Sequence, residues 1–201
     1  MHKRVRSHFK KVDPKLFKIL KNIGDLEIIS PRNPEEYFFS LCREIVSQQL
    51  SGKAAETIFE RFVALFPKKK ITPNQLLKLS DQAIRKAGTS WAKVKYLKDL
   101  AQKVKNKEVY LKHLPKLSDE EVIKELTKIK GIGTWTAEMF LMFSLGREDV
   151  FSSGDLGLKR AIEKIYKTKN ISDDQIEIIS SKWSPYRTWA CRILWSSRDR
   201  V

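Results

Sequence analysis

Apolar residues recur along this chain at helical spacing almost from end to end. From Asn33 the positions Phe38, Leu41, Cys42, Ile45 and Val46 follow the i, i+3, i+4 rule of an amphipathic helix. After Ser51 the rule returns in Ala55, Ile58, Phe59, Phe62 and Phe66, and between Ser90 and Lys105 in Trp91, Val94, Leu97, Ala101 and Val104. A further run (Val122, Ile123, Leu126) stops at Lys130-Gly131-Ile132-Gly133, and a new one opens at Thr134 and stays apolar through Leu145. Leu158, Ala161, Ile162 and Ile165 form another.

Helix starts carry a shared punctuation. Asp13-Pro14, Asn33-Pro34, Thr72-Pro73, Ser118, Ser172 and Ser184-Pro185 each offer an N-cap oxygen, several with Pro at the first helical position. Thr72…Gln75, Ser118…Glu121 and Ser172…Gln175 add capping-box spacing. No stretch alternates with period two, although Leu26 to Ile29 is short and ambiguous. The pattern predicts an all-α chain of about ten helices with short connections, no internal repeat and no long linker.

Composition narrows the class. A length of 201 residues and 41% hydrophobic content suit a globular fold with a sizeable core. The net charge of +16, from 40 Lys+Arg against 24 Asp+Glu, points to a polyanionic partner, nucleic acid or an acidic membrane surface. No apolar run is long enough for a membrane span, and the N-terminus shows no signal-peptide core. Cys42 and Cys191 sit in apolar helical patterns and read as buried free thiols in a reducing compartment. Met1 to Val12 reads as a basic arm, disordered or touching phosphate; lysine runs at 68–70 and 103–107 read as solvated faces.

The bend at 130–133 is where chemistry enters. Two glycines in four residues let the backbone adopt φ > 0 and approach another surface closely. The amides of Gly133, Thr134 and Trp135 then open a helix, where orphan N–H groups and the dipole favour a phosphate. Some twenty residues later Asp155 precedes the Leu158 run, which places a carboxylate at a helix start. Such an Asp commonly does no more than cap.

The segments LxxIKGIGTWTA and SSGDLGL, at this spacing, resemble the helix-hairpin-helix DNA glycosylases with a Gly/Pro-rich loop and a catalytic Asp (the HhH-GPD superfamily). Ser47-Gln48-Gln49-Leu50-Ser51 with Ala54-Ala55, and the late Trp183-Ser184-Pro185-Tyr186-Arg187…Leu194-Trp195, are similar to its alkylpurine, or 3-methyladenine, branch. The resemblance covers roughly residues 35 to 197 and implies a two-lobed helical fold with a DNA-binding cleft between the lobes. One lobe would run from 45 to 145 and contain the hairpin 124–137; the other would combine 13–44 with 146–201. Relatives with an N-terminal β-rich domain have room for it that this chain lacks. The four-Cys iron–sulfur loop of other relatives is excluded by the two cysteines.

For the residues, the resemblance implies that Asp155 is catalytic and that Trp135, Trp195 and Met139 line the base pocket. It makes Gln49 the wedge that fills the gap left by a flipped base, with Gln48 beside it. It assigns phosphate contacts to Gly131, Gly133, Thr134 and Thr136, and a Na+ or K+ to the backbone carbonyls of Thr127, Ile129 and Gly131, with no cofactor required. Core packing is the other reading for the tryptophans and Met139, and the expected one for Trp91, Trp183 and Trp189. Two Gln at a helix end also read as a solvated terminus. Bifunctional members carry a Schiff-base Lys where this chain has Trp135, so the resemblance implies a monofunctional glycosylase of damaged double-stranded DNA. Such an enzyme would act as a monomer, without a membrane, in the nucleoid-bearing cytoplasm or the nucleus. The alternatives are a non-catalytic helix-hairpin-helix DNA-binding protein and a glycosylase for deaminated or oxidised purines.

Overall fold

The computed structural model describes residues 1–198, and among these the regular structure is entirely helical. In chain order the helices are α1 (Lys3–Val12), α2 (Pro14–Ile23), α3 (Tyr37–Ser47), α4 (Gly52–Val63), α5 (Pro73–Lys78) and α6 (Asp81–Lys86). They continue with α7 (Trp91–Lys105), α8 (Asp119–Leu126), α9 (Thr134–Phe143), α10 (Leu156–Tyr166), α11 (Asp173–Ser181) and α12 (Arg187–Arg198). Short 3-10 turns occupy Pro34–Glu36, Pro67–Lys69 and Leu111–Lys116.

The capping punctuation holds at most starts. Asp13, Thr72, Ser90 and Asp155 each accept a backbone N–H from the first turn of the helix that follows. Ser118 and Ser172 form complete capping boxes with Glu121 and Gln175. Asn33 caps a 3-10 turn that leads into α3 at Tyr37. Ser184-Pro185 is the exception: its peptide bond is cis and α12 starts later, at Arg187. The acceptor at that start comes from far away in sequence. Asp149 receives the Arg187 N–H at 3.1 Å and the Ser184 hydroxyl at 2.8 Å.

The chain forms two compact units, residues 32–140, and residues 1–31 with 141–201. The breaks fall at 31/32 and 140/141 rather than at 44/45 and 145/146 as expected. α3 goes with the first of these because its buried face (Phe38, Leu41, Cys42, Ile45, Val46) packs on α4 and α7. Around it, aromatic edges meet at Tyr37–Phe140 (5.2 Å), Phe39–Phe59 (5.1 Å) and Phe62–Phe66 (5.2 Å). α7 is the central strut, with Val94, Leu97, Leu100 and Ala101 buried against α3, α5 and α6.

In the other unit α2, α10 and α12 pack on one another, and α1 lies on α2. The expected basic arm is α1: Val5 and Phe9 are fully buried, while Arg4 pairs with Glu148 at 2.9 Å and Arg6 with Asp25 at 2.6 Å. The unit is tied together by the buried carboxylate of Asp13. Its Oδ1 accepts the Leu16 N–H at 3.0 Å, and its Oδ2 accepts the indole N–H of Trp183 at 2.7 Å and the hydroxyl of Tyr166. Burial and that bond to Asp13 push the Tyr166 phenol above its ordinary range. Trp183 and Trp189 are core residues as expected, whereas Trp91 is 52% exposed. In the first turn of α7 its indole has no earlier helical turn to pack against, and the buried face begins at Val94.

Asp13→Ala removes a helix cap and strands two donors at once, the buried Trp183 indole and the half-buried Tyr166 hydroxyl. It is expected to cost about 3 kcal/mol, read as a lower urea midpoint with an unchanged slope.

Candidate active site

Three segments of the 32–140 unit meet around one cavity of about 560 Å³: the end of α3, the start of α7 and the α8–α9 hairpin. Gln48, Gln49, Lys93, Tyr96, Gly131 and Trp135 are among its walls. The turn after α3 carries the two glutamines. Leu50 N–H bonds Ser47 O at 3.2 Å, Gln48 has φ −48° and ψ 132°, and Gln49 has φ +56°, the pattern of a type II turn. The Gln49 side chain is exposed, while Gln48 turns back and donates to Gly131 O at 2.8 Å. Glu44, one turn earlier on the same wall, is pushed up by burial, against the lowering charges of Arg43 and Arg32.

The hairpin is built differently from its expected form. α8 ends at Leu126, four residues before the Lys130-Gly131 bend, and residues 127–132 make turns instead. Ile129 and Ile132 are buried and anchor the bend from beneath. Gly131 is left-handed at φ +81°, but Gly133 is not among the residues of positive φ. A Cβ at 131 would stand 2.1 Å from the Tyr96 ring, so the close approach made by this glycine is to the protein's own α7. Nothing lies within 4 Å of a Cβ at 133, where the carbonyl accepts Ala137 N–H at the start of α9.

Charges on α7 hold the same bend. Asp99 Oδ2 accepts the Lys130 N–H at 2.8 Å and the Lys103 ammonium at 2.7 Å, and Lys103 also donates to Lys128 O at 2.7 Å. Burial would raise the Asp99 carboxyl, but the bonds from Lys103 and the Lys130 backbone win and hold it below its ordinary value. Lys103 is therefore a structural donor and not part of a solvated run. Of the carbonyls assigned to a cation, Ile129 O already accepts the Ile132 N–H at 3.1 Å and Gly131 O the Gln48 amide.

Lys130, Gly131, Gly133 and Thr134 are exposed at the hairpin tip, and Trp135 beside them is 45% exposed. Thr136, expected to touch phosphate, is buried, with its hydroxyl 3.5 Å from the Gln48 amide. Helical geometry explains this: two residues beyond Thr134 the chain has turned inward. Met139 is buried on α9 and is not among the cavity walls.

Asp155 and Trp195 belong to the other unit. Asp155 is half-buried, with Oδ1 accepting the Leu158 N–H at 2.9 Å at the start of α10. The loop leading to it is fastened to α12. Thr188 Oγ1 accepts Val150 N–H at 3.0 Å and donates to Arg147 O at 2.7 Å, and Asp149 makes a forked pair with Arg187. Burial of Asp149 opposes its charge, but the Arg187 and Ser184 hydrogen bonds prevail and lower its carboxyl. Leu156, next to Asp155, exposes 68% of its surface, an apolar group beside the carboxylate that periodicity does not reveal. Trp195 is half-buried and lies 6.2 Å from Phe143, ring centre to ring centre.

Sequence reasoning missed Lys93, Tyr96 and Asp99 at this site. Only the Asp99–Lys103 spacing of four was visible beforehand as an ion pair. The two glycines should respond differently to substitution. Gly131→Ala, left-handed and facing Tyr96, is expected to lose about 2 kcal/mol or more of stability. Gly133→Ala should lose only a few tenths, because Ala is a slightly poorer cap than Gly (~0.5 kcal/mol). Thermal melts of both variants measure the contrast.

Residues 42–185 match the model of the HhH-GPD superfamily base excision DNA repair protein. A DNA-3-methyladenine glycosylase of Saccharomyces cerevisiae is 37% identical over 94% of this chain and 77% of its own length. The DNA-3-methyladenine glycosylase 1 of Schizosaccharomyces pombe is 32% identical over 94% and 85%. Among solved structures, a DNA-3-methyladenine glycosidase from Bacillus halodurans superposes with a TM-score of 0.84 at 37% identity, covering 99% of this chain and 90% of that one. The fission-yeast 3-methyladenine DNA glycosylase Mag1, in complex with abasic DNA, follows at 0.82 and 30%, over 96% and 95%. With the hairpin, the capping Asp155 and the matched span in view, the chain belongs to the HhH-GPD superfamily of base excision DNA repair proteins.

Proposed function

We propose that this protein is a monofunctional DNA glycosylase that hydrolyses the N-glycosidic bond of alkylated purines, of the 3-methyladenine and 7-methylguanine type, in double-stranded DNA. The observation that carries the proposal is Asp155, a half-buried carboxylate fixed by its bond to Leu158 N–H. A protein that only binds DNA gains nothing from a carboxylate facing phosphates. The names of the similar yeast and bacterial proteins support the same substrate class.

In this reading the 32–140 unit grips and opens the duplex. The amides at the start of α9 meet a phosphate without reading sequence, as a lesion scanner requires. Gln49 enters the space vacated by the flipped nucleotide. Trp135 offers an exposed indole to the base; a methylated purine carries positive charge, so stacking gains roughly 0.5–2 kcal/mol of cation–π attraction. The C1′–N bond then breaks with its electron pair passing to the purine, which departs neutral. Positive charge developing on the sugar is met by the Asp155 carboxylate, which also orients the water that adds to C1′ and releases a proton.

A Na+ or K+ at the hairpin is part of the same proposal. The carbonyls of Thr127, Ile129 and Gly131 are neutral oxygens with two lone pairs each, the kind of donor such ions take, and only one pair is engaged at Ile129 and at Gly131 by the bonds described. The ion would add positive charge beneath the phosphate. Among the described residues no helix is long and apolar enough to cross a membrane. The place of work is wherever the genome lies, nucleoid or nucleus, and the working form is a monomer.

Asp155→Asn keeps a good cap while removing the charge. It is expected to abolish release of 3-methyladenine from methylated duplex, by about 100-fold or more, while binding the lesion duplex as tightly as the wild type. Retained turnover overturns the role of Asp155. No release by the wild type, with tight duplex binding, points instead to a binder or to another lesion, for which a hypoxanthine duplex is the next substrate. A second expectation follows from Trp135 standing where strand-nicking relatives carry a Schiff-base Lys. Borohydride should trap no covalent adduct during turnover, and a trapped adduct would contradict the monofunctional assignment.

A further inference from the structure

Gln49 stands at a position that its residue type does not favour. The third residue of a type II turn takes a positive φ, and Gly or Asn normally fills it. Here a long amide side chain does so at φ +56°. A non-glycine residue stays in this region when the structure around it over-determines the backbone.

The over-determining group is the ammonium of Lys93, on the first turn of α7. It donates to Val46 O at 2.8 Å and to Gln48 O at 2.7 Å. The Gln48 carbonyl belongs to the peptide that distinguishes a type II turn from a type I turn. Flipping that peptide would carry the oxygen away from the ammonium, return Gln49 to negative φ and re-aim its side chain. The third carbonyl of the turn, Ser47 O, is held by Leu50 N–H, so the ammonium supplies what the chain itself leaves unmet. Lys93 also stands at the C-terminal end of α3, where the dipole favours a cation. Burial lowers the pKa of its ammonium. From the side, the Gln48 amide bonded to Gly131 O ties the same turn to the hairpin.

We infer that Lys93 is a positioning residue for base flipping: it locks the Gln48–Gln49 peptide so that the Gln49 side chain is aimed before DNA arrives. The inference rests on the proposed role of Gln49 as wedge. Pre-aiming matters because a misplaced group loses rate steeply even when its chemistry is intact. Lys93 itself touches no reacting atom in this scheme.

The test compares single-turnover release of 3-methyladenine from a duplex and from a single strand of the same sequence, which leaves no gap to fill. Lys93→Met should lose at least about tenfold more on the duplex than on the single strand. In a Gln49→Gly background, where wedge and backbone constraint are both gone, Lys93→Met should cause no further selective loss. Lys93→Arg keeps two donors and should hold the duplex-to-strand ratio within about threefold of wild type. Equal losses on the two substrates, or additive losses in the double variant, overturn the inference and leave Lys93 a support of the fold. Should Lys93→Met not fold, a collapse of the duplex ratio in a folded Lys93→Arg, whose donors are intact, has the same force. A wild type that releases no 3-methyladenine from either substrate removes the alkylpurine-glycosylase reading, and with it this one.

Discussion

The 32–140 unit depends on one constraint: helices that end inside a packed core leave carbonyls that must find donors. α7 supplies those donors from its own side chains. Lys93 serves the end of α3, Lys98 serves Leu76 and Leu77 at the end of α5 at 3.1 Å each, and Lys103 serves the turn after α8. Spaced five residues apart, these lysines leave the helix about 140° from one another, so one helix reaches three neighbours. The long methylene stems cross apolar ground while each ammonium stays among oxygens. Removing Lys93 or Lys98 would strand carbonyls at a helix terminus, and removing Lys103 would release the turn after α8.

The other unit solves the converse problem with an acceptor. Asp13 collects a backbone N–H, an indole N–H and a phenol from three separate stretches of chain. Asp149 does likewise for the start of α12. Both carboxylates gather donors far away in sequence, which is how a unit assembled from the two ends of the chain acquires a common core. The loop carrying Asp155 inherits its placement from this arrangement. It leaves α12 contacts at Arg147 to Val150 and arrives at the cap of α10.

Periodicity and capping chemistry are local, and what they govern was legible. The faces of α3 and α7, the boxes at Ser118 and Ser172 and the cap at Asp155 all follow from residues within one or two turns. What escaped reading depends on partners distant in sequence. A run of basic residues at 1–12 hides a helix because two apolar side chains, Val5 and Phe9, suffice once a core awaits them. Ser184-Pro185 carries the local mark of a helix start, but Asp149 captures Ser184 and moves that start to Arg187. The roles of Lys93 and Lys103 were equally invisible, since a lysine in sequence looks the same whether it faces water or a carbonyl. Trp91 shows the opposite failure: an apolar residue in phase with a helix face need not be buried when it lies in the first turn.

The packing of Tyr96 on Gly131 ties two positions together in inheritance. The ring removes the room for any side chain at 131, and the left-handed backbone there would still disfavour one if the ring shrank. Relatives can therefore trade Tyr96 for a smaller residue without freeing position 131, whereas a change at 131 demands two concessions at once. Covariation between these sites should consequently run in one direction only, with the glycine persisting through changes of the ring that covers it.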